Sequence, residues 1–211
     1  MRSFNRALAT CLLTMAALSG CSKQQPAPAQ QAAAPPPTVY SASAFFTTTS
    51  YSLAGGLAWS PDDKELLISS DETGTYNAQS LAATGGAKKP LTNSSGDAIF
   101  AVSWFPADGR VLYTSDQGGN EINHLYVREL SGDVRDLTPA KKGKAVFMGW
   151  GADDTYFNVL TNERDPKAFD LYRYATADYA RKLIFRNTDG WSIRGVSPDG
   201  RYLALVKLHS S

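Results

Sequence analysis

Four positions set 45, 46 and 46 residues apart anchor this chain: Trp59, Trp104, Trp150 and Val196. No other feature constrains the fold as strongly. A period of this length is one supersecondary unit that cannot bury its apolar face alone, so neighbouring copies must stack. Repeats of about 40–50 residues with four strands each are the blades of a β-propeller.

Other columns repeat with the anchors. Proline stands two residues after three of them, at Pro61, Pro106 and Pro198. Seven residues after each anchor comes Leu66, Val111, Phe157 or Leu203, and nine after comes Ile68, Tyr113, Val159 or Leu205. Spacing by two places both columns on one face of a second strand. Leu125-Tyr126 and Leu171-Tyr172 mark a third strand, matched more weakly by Ser80-Leu81. Leu91-Thr92, Leu137-Thr138 and Leu183-Ile184 close the periods.

Turn chemistry falls between these columns. Ser60-Pro61-Asp62-Asp63, Pro106-Ala107-Asp108-Gly109 and Ser197-Pro198-Asp199-Gly200 read as hairpins joining first and second strands. Proline presets φ, aspartate binds nearby backbone, and glycine supplies a positive φ. Asp71–Gly74 and Asp116–Gly119 link second to third strands, and Thr84–Gly86 and Ser131–Asp133 link third to fourth. The expectation is an all-β chain whose tryptophans fill the gaps between blades. From Ser52 to Ser211 there are 160 residues, about 3.5 periods. That predicts an incomplete propeller over 45–211, truncated, with further blades missing.

The start of the chain is different in kind. Residues 1–6 hold two arginines and no acid, and Ala7–Leu18 is an apolar run too short to span a bilayer. Leu18-Ser19-Gly20-Cys21 follows. The box resembles a bacterial lipoprotein signal, which implies cleavage after residue 20 and lipidation of Cys21. Cys11 and Cys21 are the two cysteines, so the mature chain would keep no thiol for a disulfide, metal or nucleophile. Loss of residues 1–20 would move the formal charge from +1 to −1. Ser22 is not the aspartate that retains such proteins in the inner membrane, so the resemblance implies the periplasmic face of the outer membrane. Residues 21–44, rich in Gln, Ala and Pro, read as a disordered tether.

Little chemistry is legible. The near-neutral charge, without a basic patch, argues against nucleic acid. Gly190-Trp191-Ser192-Ile193-Arg194-Gly195 is one residue too long for a nucleophile elbow, and no helix follows. His124 reads as a structural strand residue. No cysteine–histidine cluster has zinc spacing and no loop has calcium spacing, so no cofactor is expected. The longest turn, Asn162–Asp170, carries Glu163, Arg164, Asp165 and Lys167 and reads as a charged rim loop.

Trp59-Ser60-Pro61-Asp62 and Ser197-Pro198-Asp199-Gly200-Arg201 resemble repeats shared by the prolyl oligopeptidase family and periplasmic TolB. The runs Ile99–Tyr126 and Asp165–Tyr172 are more similar to the exported dipeptidyl aminopeptidases and acylaminoacyl peptidases of that family. The resemblance implies a propeller that filters peptide substrates for a following α/β-hydrolase domain. It reaches none of the triad positions, so no catalytic residue is assigned and the 211-residue chain itself is expected to be inactive. The alternative implied is a TolB-like lipoprotein, a binding or assembly module rather than an enzyme.

Overall fold

The computed structural model describes residues 36–207. Cys21 and the expected signal segment lie outside them. Residues 36–41 carry no helix or strand. A single exposed turn of helix, α1 (Ala42–Phe46), overlaps the end of the tether read from composition.

From there the chain folds into antiparallel sheets taken in sequence order. The first contains β1 (Tyr51–Leu53), β2 (Glu65–Ser70), β3 (Asn77–Ala82) and β4 (Lys88–Pro90). The second contains β5 (Ile99–Trp104), β6 (Val111–Ser115), β7 (His124–Arg128) and β8 (Val134–Asp136). The third contains β9 (Ala145–Trp150), β10 (Tyr156–Asp165), β11 (Ala168–Ala175) and β12 (Arg181–Phe185). A two-stranded sheet, β13 (Ser192–Val196) and β14 (Leu203–Val206), follows. Consecutive strands pair throughout, each sheet being an up-and-down meander.

The turns follow from their side chains. Ser60 Oγ accepts the amide hydrogens of Lys64 and Glu65 (3.2 and 2.9 Å) and donates to Asp62 (2.8 Å). Ser197 repeats the arrangement with Arg201, Tyr202 and Asp199. At the last turn position φ is positive four times, at Asp63 (58°), Gly109 (77°), Asp154 (58°) and Gly200 (68°). Glycine and aspartate are among the residues that tolerate this region. The turn at Gly151–Asp154 lacks proline but closes the same way, with the Asp154 amide donating to the Gly151 carbonyl (3.1 Å).

In the three four-stranded sheets the second strands are largely buried on both faces. Leu67 and Leu112 stand between the apolar columns and are fully buried. Sheets stack face to face, so β5 packs on β2 and β3, and β9 packs on β7. The seam between second and third sheets is aromatic: Phe105, Trp150, Phe157, Tyr174 and Tyr179 lie within one cluster. The preceding seam is smaller, built from Ala54, Leu67, Ala78, Ala101, Trp104 and Val111.

Three expectations need correction. Trp59 fills no gap between blades. It is 49% exposed, because among the described residues no sheet precedes the first one to cover it. The Ser80-Leu81 match in the first repeat is two residues out of frame. The turn 71–76 is two residues shorter than 116–123, so Ala78, not Ser80, stands where Leu125 does. Leu183-Ile184 closes no period either, because it lies inside β12.

Candidate functional site

The segment after β1 and the first strands of the three following sheets, β5, β9 and β13, border two adjoining cavities. One cavity of about 480 Å³ lies between Gly55-Gly56, Phe100–Val102 and Ala145–Phe147. A second, about 440 Å³, is bounded by Gly55–Leu57, Phe147–Trp150 and Arg194–Val196. Anchors Trp150 and Val196 thus wall the opening, while Trp104 is buried behind it. The Gly56 amide donates to the Val102 carbonyl (2.7 Å), and that of Leu57 donates to Ser103 Oγ (2.9 Å). A Cβ on Gly56 would lie 2.8 Å from the Ser103 side chain, so only glycine lets these strands meet. Arg194 is the charged side chain on this lining.

The charged segment expected to be a rim loop is not a loop. β10 and β11 run into it with a register shift between Thr161 and Asp165, leaving Pro166-Lys167 as the turn. The cause is internal pairing. Arg164 donates to both carboxylate oxygens of buried Asp170 (2.6 and 2.8 Å) and to the Asn187 carbonyl (3.0 Å). The Arg164 guanidinium holds the Asp170 carboxyl below its ordinary pKa. Glu163 pairs with Arg181 (2.9 Å), whose pKa that carboxylate raises. Asp165 accepts the Lys167 amide hydrogen (3.0 Å), and Lys167 itself is exposed. The structure therefore joins Glu163 and Arg164 to partners in β11, β12 and the 186–191 connection rather than presenting them to a ligand.

Arg164's partner belongs to a column that sequence reasoning missed. One third-strand position is polar and buried in all three four-stranded sheets: Asn77 and His124, which open β3 and β7, and Asp170, the third residue of β11. Each clasps the end of the fourth strand or the chain just beyond it. Asn77 Oδ1 accepts from Thr92 Oγ1 (3.0 Å) and the Ser94 amide (2.7 Å). His124 Nδ1 lies 2.7 Å from Asp136 Oδ2. Asp170 accepts the Asn187 amide hydrogen (2.8 Å). Three different residue types at one position leave no repeat to see. His124 was readable only as a lone histidine, because its partner lies twelve residues away.

A second network crosses the seam at the opposite end of the strands. Tyr179 donates to Glu129 (2.7 Å) and contacts Arg110, which lies over the Phe105 ring. Burial first, and the Glu129 hydrogen bond next, push the Tyr179 phenol up to about 12. Ser192 opens strand β13, which turns back through residues 197–200 into β14, so it sits on no strand-to-helix elbow among the described residues. Among the described residues no three carboxylate, histidine or cysteine side chains group around a metal-sized site.

No protein-family model matches the chain. Dipeptidyl aminopeptidase BIII of Pseudoxanthomonas mexicana is 30% identical over 131 residues, 61% of this chain but 19% of that enzyme. TolB from Acinetobacter baumannii superposes with a TM-score of 0.53 at 21% identity, covering 74% of this chain and 38% of TolB. A prolyl endopeptidase structure gives 0.55 at 18% identity, over 70% of this chain and 24% of that one.

The fold is a partial β-propeller. The chain is also a homologue of dipeptidyl aminopeptidase BIII, and spans about a fifth of that relative's length. The two superpositions are near equal and bear on the fold alone.

Proposed function

We propose that residues 45–211 are the substrate-gating propeller portion of an exported serine peptidase of the prolyl oligopeptidase family. The observation that carries this reading is the 30% identity over 131 residues to a dipeptidyl aminopeptidase. The opening suits it: glycines alternate there with Phe100, Phe147 and Trp150, and Arg194 is the charged side chain of the lining, so an extended peptide would meet mostly apolar walls. Nucleophile, base and oxyanion donors would belong to a hydrolase domain outside this sequence, so the 211-residue chain alone hydrolyses no peptide. Cys21, lipidated, and the tether after it would hold the propeller at the periplasmic face of the outer membrane.

The gene decides. Further 46-residue repeats and then a Gly-x-Ser-x-Gly elbow downstream of codon 211 support the reading. Repeats followed by a stop codon sink it. That second outcome supports a TolB-like binding module, whose propeller fold this chain shares. A fluorophosphonate probe should leave the 211-residue chain unlabelled, and stoichiometric labelling would refute the assignment of catalysis elsewhere. Cys21→Ala should abolish incorporation of labelled palmitate and release the chain from membranes.

A further inference from the structure

We propose that the Asp189-Gly190 step, in the connection between β12 and β13, is a site of spontaneous isoaspartate formation. The proposal does not depend on the peptidase reading. It comes from comparing three copies of one dipeptide. Aspartate is followed by glycine at Asp108-Gly109, Asp189-Gly190 and Asp199-Gly200. At each, the glycine lacks the Cβ that would hinder approach to its own amide nitrogen, and its φ is positive, at 77°, 68° and 68°. The dipeptide and its glycine conformation are thus alike at the three steps. Their surroundings are not.

Two of the three are held. Asp108 accepts from Arg110 Nε on both carboxylate oxygens (3.0 Å each) and from the Arg110 amide (3.1 Å). Asp199 accepts from Ser197 Oγ (2.6 Å) and from the Arg201 amide (3.1 Å). The Gly200 amide donates to the Ser197 carbonyl (2.7 Å), and the Arg173 guanidinium and Tyr156 hydroxyl crowd Gly200 itself. Asp189 has none of this. It is exposed, and neither its carboxyl nor the Gly190 amide has a hydrogen-bond partner among the described residues. The space beside Gly190 is open. The segment is fixed only at its ends, where the Asn187 side chain accepts the Trp191 amide hydrogen (2.9 Å) and donates to the Trp191 carbonyl (2.7 Å).

The chemistry needs these two residues and water. The Gly190 nitrogen attacks the protonated side-chain carboxyl of Asp189. A C–N bond forms, the nitrogen gives up its proton, a C–O bond breaks and water leaves. The resulting succinimide then adds water at either carbonyl. One opening restores aspartate. The other runs the main chain through the side-chain carbonyl and frees the α-carboxylate, which places one more main-chain atom between Asn187 and Trp191. No oxidant or reductant enters.

The test is to age the full chain in warm, mildly acidic buffer, digest it with trypsin and separate the peptides by liquid chromatography, with fragmentation that distinguishes isoaspartate from aspartate. Cleavage after Arg110, Arg186, Arg194 and Arg201 puts the three steps on different peptides. The proposal expects isoaspartate at 189 to accumulate faster than at 108 or 199 by about tenfold or more, the factor that one net hydrogen bond makes. In urea, where all three carboxyls are released, the rates should converge. Asp189→Glu, which would need a larger ring, should remove the product at that position and so identify its peak. Four results overturn the proposal: no product at 189, equal rates at the three steps in the folded chain, a faster rate at 108 or 199, or a preference for 189 that persists unchanged in urea. The last would assign the preference to neighbouring residues rather than to the fold.

Discussion

The two complete seams between sheets are built from the same columns and yet differ in content. Between the second and third sheets, Phe105 meets Trp150 edge to face (4.8 Å between centroids), and Phe157 stacks on Tyr174 (5.4 Å). Trp150 Nε1 donates to Ser103 Oγ (2.8 Å) across the seam. Between the first and second sheets, Trp104 stands on a floor of alanines with Leu67 and Leu91, and its Nε1 is buried without a partner. Anchor position therefore sets where a tryptophan packs but not how well it is satisfied. The residue opposite it in the preceding sheet decides that.

Core deletions should show the difference most strongly. Phe157 is fully buried and touches four rings, so Phe157→Ala should cost about 3–5 kcal/mol. Leu67→Ala, on the alanine-lined seam, should cost about 2–3 kcal/mol, the lower part of its class. Urea unfolding of the full chain orders the two. A Leu67→Ala cost equal to or above that of Phe157→Ala breaks the contrast.

The clasps come next. Asp170→Asn strips the charge from a buried pair and should cost about 3 kcal/mol at neutral pH. Asn77→Ala removes only neutral bonds and should cost about 1–2 kcal/mol. The pH dependence has a fixed sign. Because folding lowers the Asp170 pKa, its contribution is complete above the unfolded value near 4 and disappears as pH falls through the folded one. The wild type should thus lose stability faster than Asp170→Asn below about pH 4. Parallel slopes between pH 7 and 3 would remove Asp170 from the account.

Smaller effects separate the two indoles. Trp150→Phe breaks a made hydrogen bond and should cost about 1–2 kcal/mol through that bond. Trp104→Phe removes an unpaired N–H, which offsets the packing it loses, so it should cost less. Equal unfolding midpoints would mean the Ser103 bond contributes nothing.

Much of the fold was legible because its cause is local. The Ser-Pro-Asp turns bind their own backbone within five residues, so Ser60 and Ser197 announce themselves. The apolar columns of second strands were legible for the same reason, a fixed stride of two. What failed depended on lengths or partners far apart in sequence. A turn shorter by two residues displaced the first repeat's third strand. Arg164 looked solvated because Asp170, six residues on, faces it only once β10 and β11 pair, and Asn187 only once the chain has passed β12. Of the His124 clasp, only the histidine was visible. Asp136 reaches it from the neighbouring strand.

The contrast between seams can also be narrowed by repair. Ser103 immediately precedes the anchor of the second sheet, and Ala58 precedes that of the first. Trp150 finds Ser103 one sheet back; by the repeat, Trp104 should find position 58 one sheet back, where a methyl group stands. Ala58 packs against the Trp104 cluster and is only partly buried, so a hydroxyl there keeps access to water if it misses the indole. Ala58→Ser should then stabilise the chain by about 1 kcal/mol, the net worth of an ordinary hydrogen bond. The gain should vanish in the Trp104→Phe background, where no N–H remains to be satisfied. A gain of the same size in both backgrounds would assign it to the strand backbone instead, and a loss in both would mean the two sheets are not related by the repeat at this position.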